Sequence, residues 1–298
     1  MIKIKCTIIF FVFPMLIFSQ VKTPFVTYDY EADSNYIKAL ESYKKLEEEG
    51  NLLVVASIAE LSFKYKDWFT AIEYFEKLLI DNPIAENYFK LSVASARKSL
   101  EVSRFFSVPF LMKARKSVLK AHEMEPKMAV VLNLLIKLYA EIPSLLGGSI
   151  AFAEQKADEL NDIDTISGKM MQAYLFGVKN NFEASKSKYA EIFHNLKQQF
   201  AGEEQWFKEL RLDIVFELGT AASEYNIESE AGKAALDHYI ESYEFKNNYP
   251  LEWAYYYQSK IYYFNQQYQK TQASLQKALE INPNFEEARE LFNIVKLE

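Results

Sequence analysis

One four-residue spacing recurs three times in this chain. Ala71, Phe75, Leu78 and Pro83 follow one another at steps of 4, 3 and 5, and Ala114, Val118, Ala121 and Pro126 repeat those steps. So do Thr271, Leu275, Ala278 and Pro283, with Thr where the other sets have Ala. Steps of 4 and 3 place three residues on one face of a helix. The proline then suits the first turn of the next helix, where its missing N–H has no partner to lose. Around the first set, Ile58 to Pro83 reads IAELSFKYKDWFTAIEYFEKLLIDNP. The spacing predicts two antiparallel helices, A and B, touching at Ala59 and Ala71 and filled between by Trp68, Phe75 and Leu78. Such a hairpin buries its inner face only when neighbours stack on it, so a chain that repeats it is committed to an array.

Weaker copies lie between the strong ones: Ala153, Ala157 and Leu160; Phe182, Ser185, Tyr189 and Ile192; and Leu218-Gly219 on an A helix with Ala235 and Tyr239 on a B helix. The B-helix anchors Ala71, Ala114, Ala153, Ser185, Ala235 and Thr271 are 43, 39, 32, 50 and 36 residues apart. Several units therefore carry longer loops or helices. The expectation is an all-α solenoid of about six helical hairpins in one domain, 34–298. Capping helices are expected near Ser34–Glu49 and from Asn284 onward.

These repeats resemble the tetratricopeptide repeat (TPR) superfamily over most of residues 50–298, most closely at 58–83 and 268–283. The resemblance implies a right-handed α-solenoid whose A helices line a concave surface that binds extended peptides or partner helices. Placed on this chain, the inward A positions are Trp253, Tyr256, Lys260 and Tyr263, one stripe of a helix. Asn133 and Lys137 match them in the third hairpin, Glu60 and Lys64 in the first, and Tyr174 in the fourth. Tyr and Trp offer rigid contact area with a polar handle. The stripe is read first as packing against the C-terminal helix and second as a partner contact.

Pro143-Ser-Leu-Leu-Gly147-Gly148-Ser149 widens the A–B turn of the third hairpin. Pro143 stops the A helix, the glycines permit positive φ or close backbone approach, and Ser149 can cap helix B. The turn is similar to the Pro…Gly-Gly insertion of some bacterial TPR proteins, including the T component of TRAP transporters. Regulator-of-microtubule-dynamics proteins carry something similar. That likeness implies an alternative function, a transport accessory or small-ligand-handling protein. The turn itself is read first as structural and second as a ligand-contacting loop.

Half of the 298 residues are apolar and Gly and Pro number eight each, which argues against a loop-rich β fold. The net charge of −7 argues against nonspecific nucleic-acid binding. Residues 1–20 read as a secretory signal peptide: Lys3 and Lys5, then an apolar run from Thr7 to Phe18, then the small Ser19. The run is shorter than the ~20 residues of a spanning helix, so an uncleaved anchor is the second reading, and no stable membrane insertion is expected after cleavage. Cys6, the single cysteine, precedes that run. The mature chain then lacks disulfides, thiolate catalysis and cysteine-ligated zinc. A periplasmic location fits. Residues 21–33 lack helical periodicity and read as an extended lead-in.

Chemistry-bearing motifs are scarce. His122, His194 and His238 fall on B helices of different repeats with no metal-ligand spacing. Asp237 and His238 diverge on their helix, so a solvated face is favoured over an acid–base pair. Ser95–Lys98 and Ser185–Lys188 match S-x-x-K, without the companion motifs of serine–lysine enzymes. The basic run Lys113, Arg115, Lys116 and Lys120 reads first as a solvated face and second as a phosphate site, and the apolar Arg104–Phe110 first as core or helix packing and second as an exposed partner patch. No catalytic, cofactor or metal residue is assigned. The function expected is an exported, non-enzymatic scaffold that binds a protein or peptide partner in the cell envelope. Homo-oligomerisation is compatible with this, and no nucleic acid is involved.

Overall fold

The computed structural model describes residues 29–296 except 201 and 246. The signal peptide and residues 21–28 of the lead-in lie outside the described residues. The end of the lead-in is not extended. Tyr30–Ala32 forms a 3-10 turn, the Asp29 carboxylate accepts from the Ala32 N–H, and the Tyr30 ring meets Tyr36 edge-on at 5.8 Å.

Helix α1 (Ser34–Glu48) precedes six hairpins. These are α2 (Val54–Lys64) with α3 (Trp68–Asp81), α4 (Ala85–Glu101) with α5 (Arg104–Met124), and α6 (Ala129–Glu141) with α7 (Ile150–Ile163). Then come α8 (Thr165–Val178) with α9 (Phe182–Gln199), α11 (Leu212–Tyr225) with α12 (Ser229–Glu241), and α13 (Leu251–Phe264) with α14 (Tyr268–Ile281). Helix α10 (Glu203–Glu209) is inserted before α11, and α15 (Glu286–Val295) closes the array. No strand occurs among the described residues.

All six B-helix anchors sit at the hairpin contacts, each at most 1% exposed. Where the anchor or its partner is a serine, its hydroxyl donates across the hairpin. Ser92 bonds the Ala114 carbonyl at 2.7 Å and Ser185 the Ala173 carbonyl at 2.8 Å. A buried hydroxyl is thereby satisfied without widening the contact. In the fifth hairpin glycines serve instead: a Cβ on Gly232 would lie 2.1 Å from the Ala222 Cβ.

The irregular spacings have separate causes. The 17 residues of α4 and 21 of α5 lengthen the second unit. The single-residue link Asp164 shortens the step from α7 to α8, and α10 lengthens the step from Ser185 to Ala235. Trp206 anchors α10 at 1% exposure, near Phe193 and Phe207.

Two surface expectations change. Phe105 and Phe106 are 94% and 70% exposed, not core: they open α5, where no described residue covers them. Phe110 alone of that segment's phenylalanines joins the N-terminal core. Arg115 is not solvated: its guanidinium lies 5.0 Å from the Tyr139 ring centre and abuts Gly147.

The 143–149 turn has a clear physical design. Gly147 has φ 90°. Gly148 passes so close to α6 that a Cβ would fall 1.6 Å from the Ile142 carbonyl oxygen. Ser149 Oγ accepts from the Phe152 N–H at 3.2 Å and caps α7.

Candidate partner-binding site

The A helices α4, α6 and α11 face one another across a cavity of about 550 Å³. Its walls are largely apolar, with Phe89, Val93, Leu134 and Leu138 among them. Polar groups converge within this apolar frame: Arg97, Asn133, Lys137, Glu141, Arg211, Asp213 and Glu217.

The polar groups are tied together across repeats. Lys137 Nζ on α6 donates to Glu217 Oε1 on α11 at 2.9 Å, and the Tyr249 hydroxyl donates to the same oxygen. Tyr174 on α8 donates to Glu141 on α6 at 2.5 Å. Arg211 forms two bonds to Asp213, at 2.9 and 3.0 Å. Burial pushes the Lys137 pKa down, but the Glu217 charge and hydrogen bond outweigh it, leaving the ammonium above its ordinary value. Burial, reinforced by Glu217, holds the Tyr249 phenol well above its ordinary range. Burial lowers the Arg97 pKa. Asn133 Oδ1 is buried and has no hydrogen-bond partner among the described residues.

One further element completes the site. Between α12 and α13 the described residues 242–245 and 247–250 have no regular structure and form a strap, and Asn247, Asn248 and Tyr249 line the cavity. Tyr249 stacks on Phe216 at 4.3 Å, and its carbonyl accepts from the Tyr239 hydroxyl at 2.6 Å. The strap also reaches the first hairpin. Lys66 Nζ donates to the carbonyls of Phe245 at 2.5 Å and Asn247 at 3.2 Å.

The residues expected from sequence fall into two groups. Asn133 and Lys137 line the cavity, and Tyr174 bonds its Glu141. Trp253 and Tyr256 lie elsewhere, with ring centres 4.6 and 5.3 Å from Phe285 at the start of α15. Lys260 pairs with Glu224 at 2.8 Å, and Tyr263 neighbours Tyr268. No residue of 143–149 lines the cavity. Sequence reasoning did not find Arg97, Glu141, Arg211, Asp213, Glu217 or Tyr249. Glu217 left a trace, standing one turn before Thr220, the position equivalent to Glu60 and Asn133. Tyr249 left none, since a loop has no repeat register.

The remaining candidates are accounted for locally. Ser185 also bonds Tyr225 at 2.6 Å, and Lys188 pairs with Glu191. Lys98 pairs with Glu101. Asp237 accepts from Lys233 and Gln258, while His238 stacks on Phe207 at 4.7 Å, so both side chains are half-buried and have separate partners. Among the described residues no group of three His, Cys, Asp or Glu side chains is placed to hold a metal ion.

No family model and no curated protein matches the chain. Among solved structures it is similar to a tetratricopeptide repeat protein from Parabacteroides merdae. The TM-score is 0.54 at 14% identity, over 88% of this chain and 93% of that one. It also matches YrrB, described as a TPR protein with an unusual peptide-binding site. There the TM-score is 0.37 at 13% identity, over 73% of this chain and 96% of that one. A thermophilic TPR protein of Thermus thermophilus matches with a TM-score of 0.36 at 11% identity, over 88% and 100%. These neighbours lend no support to the narrower likeness to the TRAP T component. The chain has the all-α repeat fold of tetratricopeptide proteins.

Proposed function

We propose that this protein is an exported, non-enzymatic scaffold that holds an extended segment of a protein partner against its concave face, in the cell envelope. The cavity between α4, α6 and α11 is the observation that carries this reading. It combines an apolar wall with a few fixed polar groups, the composition that gives a binding site both affinity and orientation. Lys137 is paired with Glu217 and Arg211 with Asp213 there, as suits positioning a ligand. Export rests on the leader read at residues 1–20.

A peptide library displayed on phage and selected on the full chain tests the proposal. Selected peptides are expected to bind the native protein and to lose at least about tenfold in affinity against Leu134→Glu, which places a charge on the cavity wall. Peptides that bind both equally would move the site elsewhere.

A second reading, a small-ligand carrier, is favoured by one observation: the strap residues Asn247, Asn248 and Tyr249 add a further wall to the cavity. A discrete small molecule retained by the purified protein in native mass spectrometry, and lost in Leu134→Glu, would select it over the scaffold.

A further inference from the structure

Three A–B turns are built alike. In Tyr65-Lys66-Asp67, Lys179-Asn180-Asn181 and Asn265-Gln266-Gln267 the middle residue has φ of 62°, 58° and 57°. In each, its N–H and the next bond back to carbonyls three and five residues earlier, as Lys66 to Phe63 and Asp67 to Ser62. This left-handed position suits asparagine or glycine, and lysine brings no local compensation to it.

The side chain of Lys66 accounts for the choice. It is 5% exposed and reaches across the array to the two strap carbonyls. Beside it the Phe245 ring lies 5.4 Å from Tyr65, with Lys64 Nζ 5.6 Å above it. The held stretch runs straight into Asn247, Asn248 and Tyr249, which wall the cavity. The far end is fixed independently through Tyr249 to Tyr239 and Glu217. A segment without regular structure, pinned at two ends over a cavity, has one way to uncover it: release of the less deeply buried end.

We propose that the strap is a lid over the cavity and that Lys66 is its latch, so that an occupant is admitted when Lys66 lets go of the Phe245 and Asn247 carbonyls. The inference takes from the proposed function the cavity as the binding site. The lid's motion is measurable with no partner present, so the two readings fail separately.

The test uses the full chain with Cys6→Ser and Val130→Cys, which leaves one thiol on the cavity wall. Its rate of reaction with dithiobis(nitrobenzoate) reports access, and amide hydrogen exchange of residues 242–250 reports the strap. Lys66→Asn keeps a residue suited to the turn and removes the latch. It is expected to speed both by about tenfold or more, the effect of losing a hydrogen bond to a charged donor. Gln266→Asn, the same change in an equivalent turn, is expected to alter neither. Unchanged strap exchange in Lys66→Asn would overturn the latch, and faster exchange with unchanged thiol reactivity would overturn the lid. If Lys66→Asn fails to fold, Phe245→Ser releases the same end and must give the same pair of accelerations.

Discussion

Lys137 and Glu217 stand 80 residues apart in sequence and 2.9 Å apart in space, joining α6 to α11 at the wall of the cavity. Glu217 also accepts from the Tyr249 hydroxyl. Its side chain is 19% exposed and that of Lys137 27%, so neither charge is fully solvated when left alone. Lys137→Met is expected to lower stability by about 1–3 kcal/mol, a value below that of a fully buried pair because both groups keep some water. Lys137→Met with Glu217→Gln together should recover much of the loss. Urea unfolding of the four species, read as a double-mutant cycle, checks this; additive losses would mean the pair is not coupled.

Gly232→Ala addresses the closeness of α11 and α12. Alanine improves helix propensity by up to ~1 kcal/mol, yet its Cβ would meet the Ala222 Cβ at 2.1 Å. Neither atom can rotate away. The substitution is expected to cost a net ~1–3 kcal/mol through overpacking, visible as a lower thermal midpoint. A rise in that midpoint would show that the two helices separate freely.

Phe285 decides what the Trp253–Tyr256 stripe does. It is 3% exposed and touches both rings. Phe285→Ala is expected to cost about 3 kcal/mol and to accelerate amide exchange across α15. Trp253→Ala should give the same exchange pattern if the stripe is packing beneath the cap. Peptide binding lost in Trp253→Ala, with α15 still protected, would assign the stripe to partner contact.

Lys66 gives a pH dependence with a defined sign. Burial and then the Arg97 charge lower its pKa from 10.5 to about 8, against an opposing contribution from Glu252. Between pH 8 and 10.5 the unfolded chain therefore holds a proton that the folded chain has released, and stability rises with pH through that window. The full effect is about 3 kcal/mol. Denaturant unfolding at about pH 7 and about pH 10 should show the native protein gaining relative to Lys66→Met. A pH-independent difference between the two would contradict the lowered value.

The hairpins were readable from sequence because each is made by neighbours. Small residues at Ala71, Ala114 and Ala153 and a fixed 4-3 step, with a proline following the first two sets, state which helix faces meet, and all three alanines lie at 0% exposure. Gly147, Gly148 and Ser149 were readable for the same reason, since positive φ, close approach and capping are local demands. Only a smaller part of the cavity's chemistry was readable through repeat register, which placed Asn133 and Lys137.

The rest depended on how far the array curls. Glu217 reaches Lys137, and Lys66 reaches Phe245 across 179 residues, because stacked hairpins rotate a little at each step and the sum brings distant turns together. That sum passes through the irregular steps at α5, at Asp164 and at α10, none of which the repeat spacing fixes. The sequence by itself therefore determined the hairpins and their contact faces, which are short-range matters of side-chain size and helical period. The tertiary structure decided which A helices confront one another, where the strap lands and which charges pair. Those depend on accumulated geometry between residues that no local pattern links.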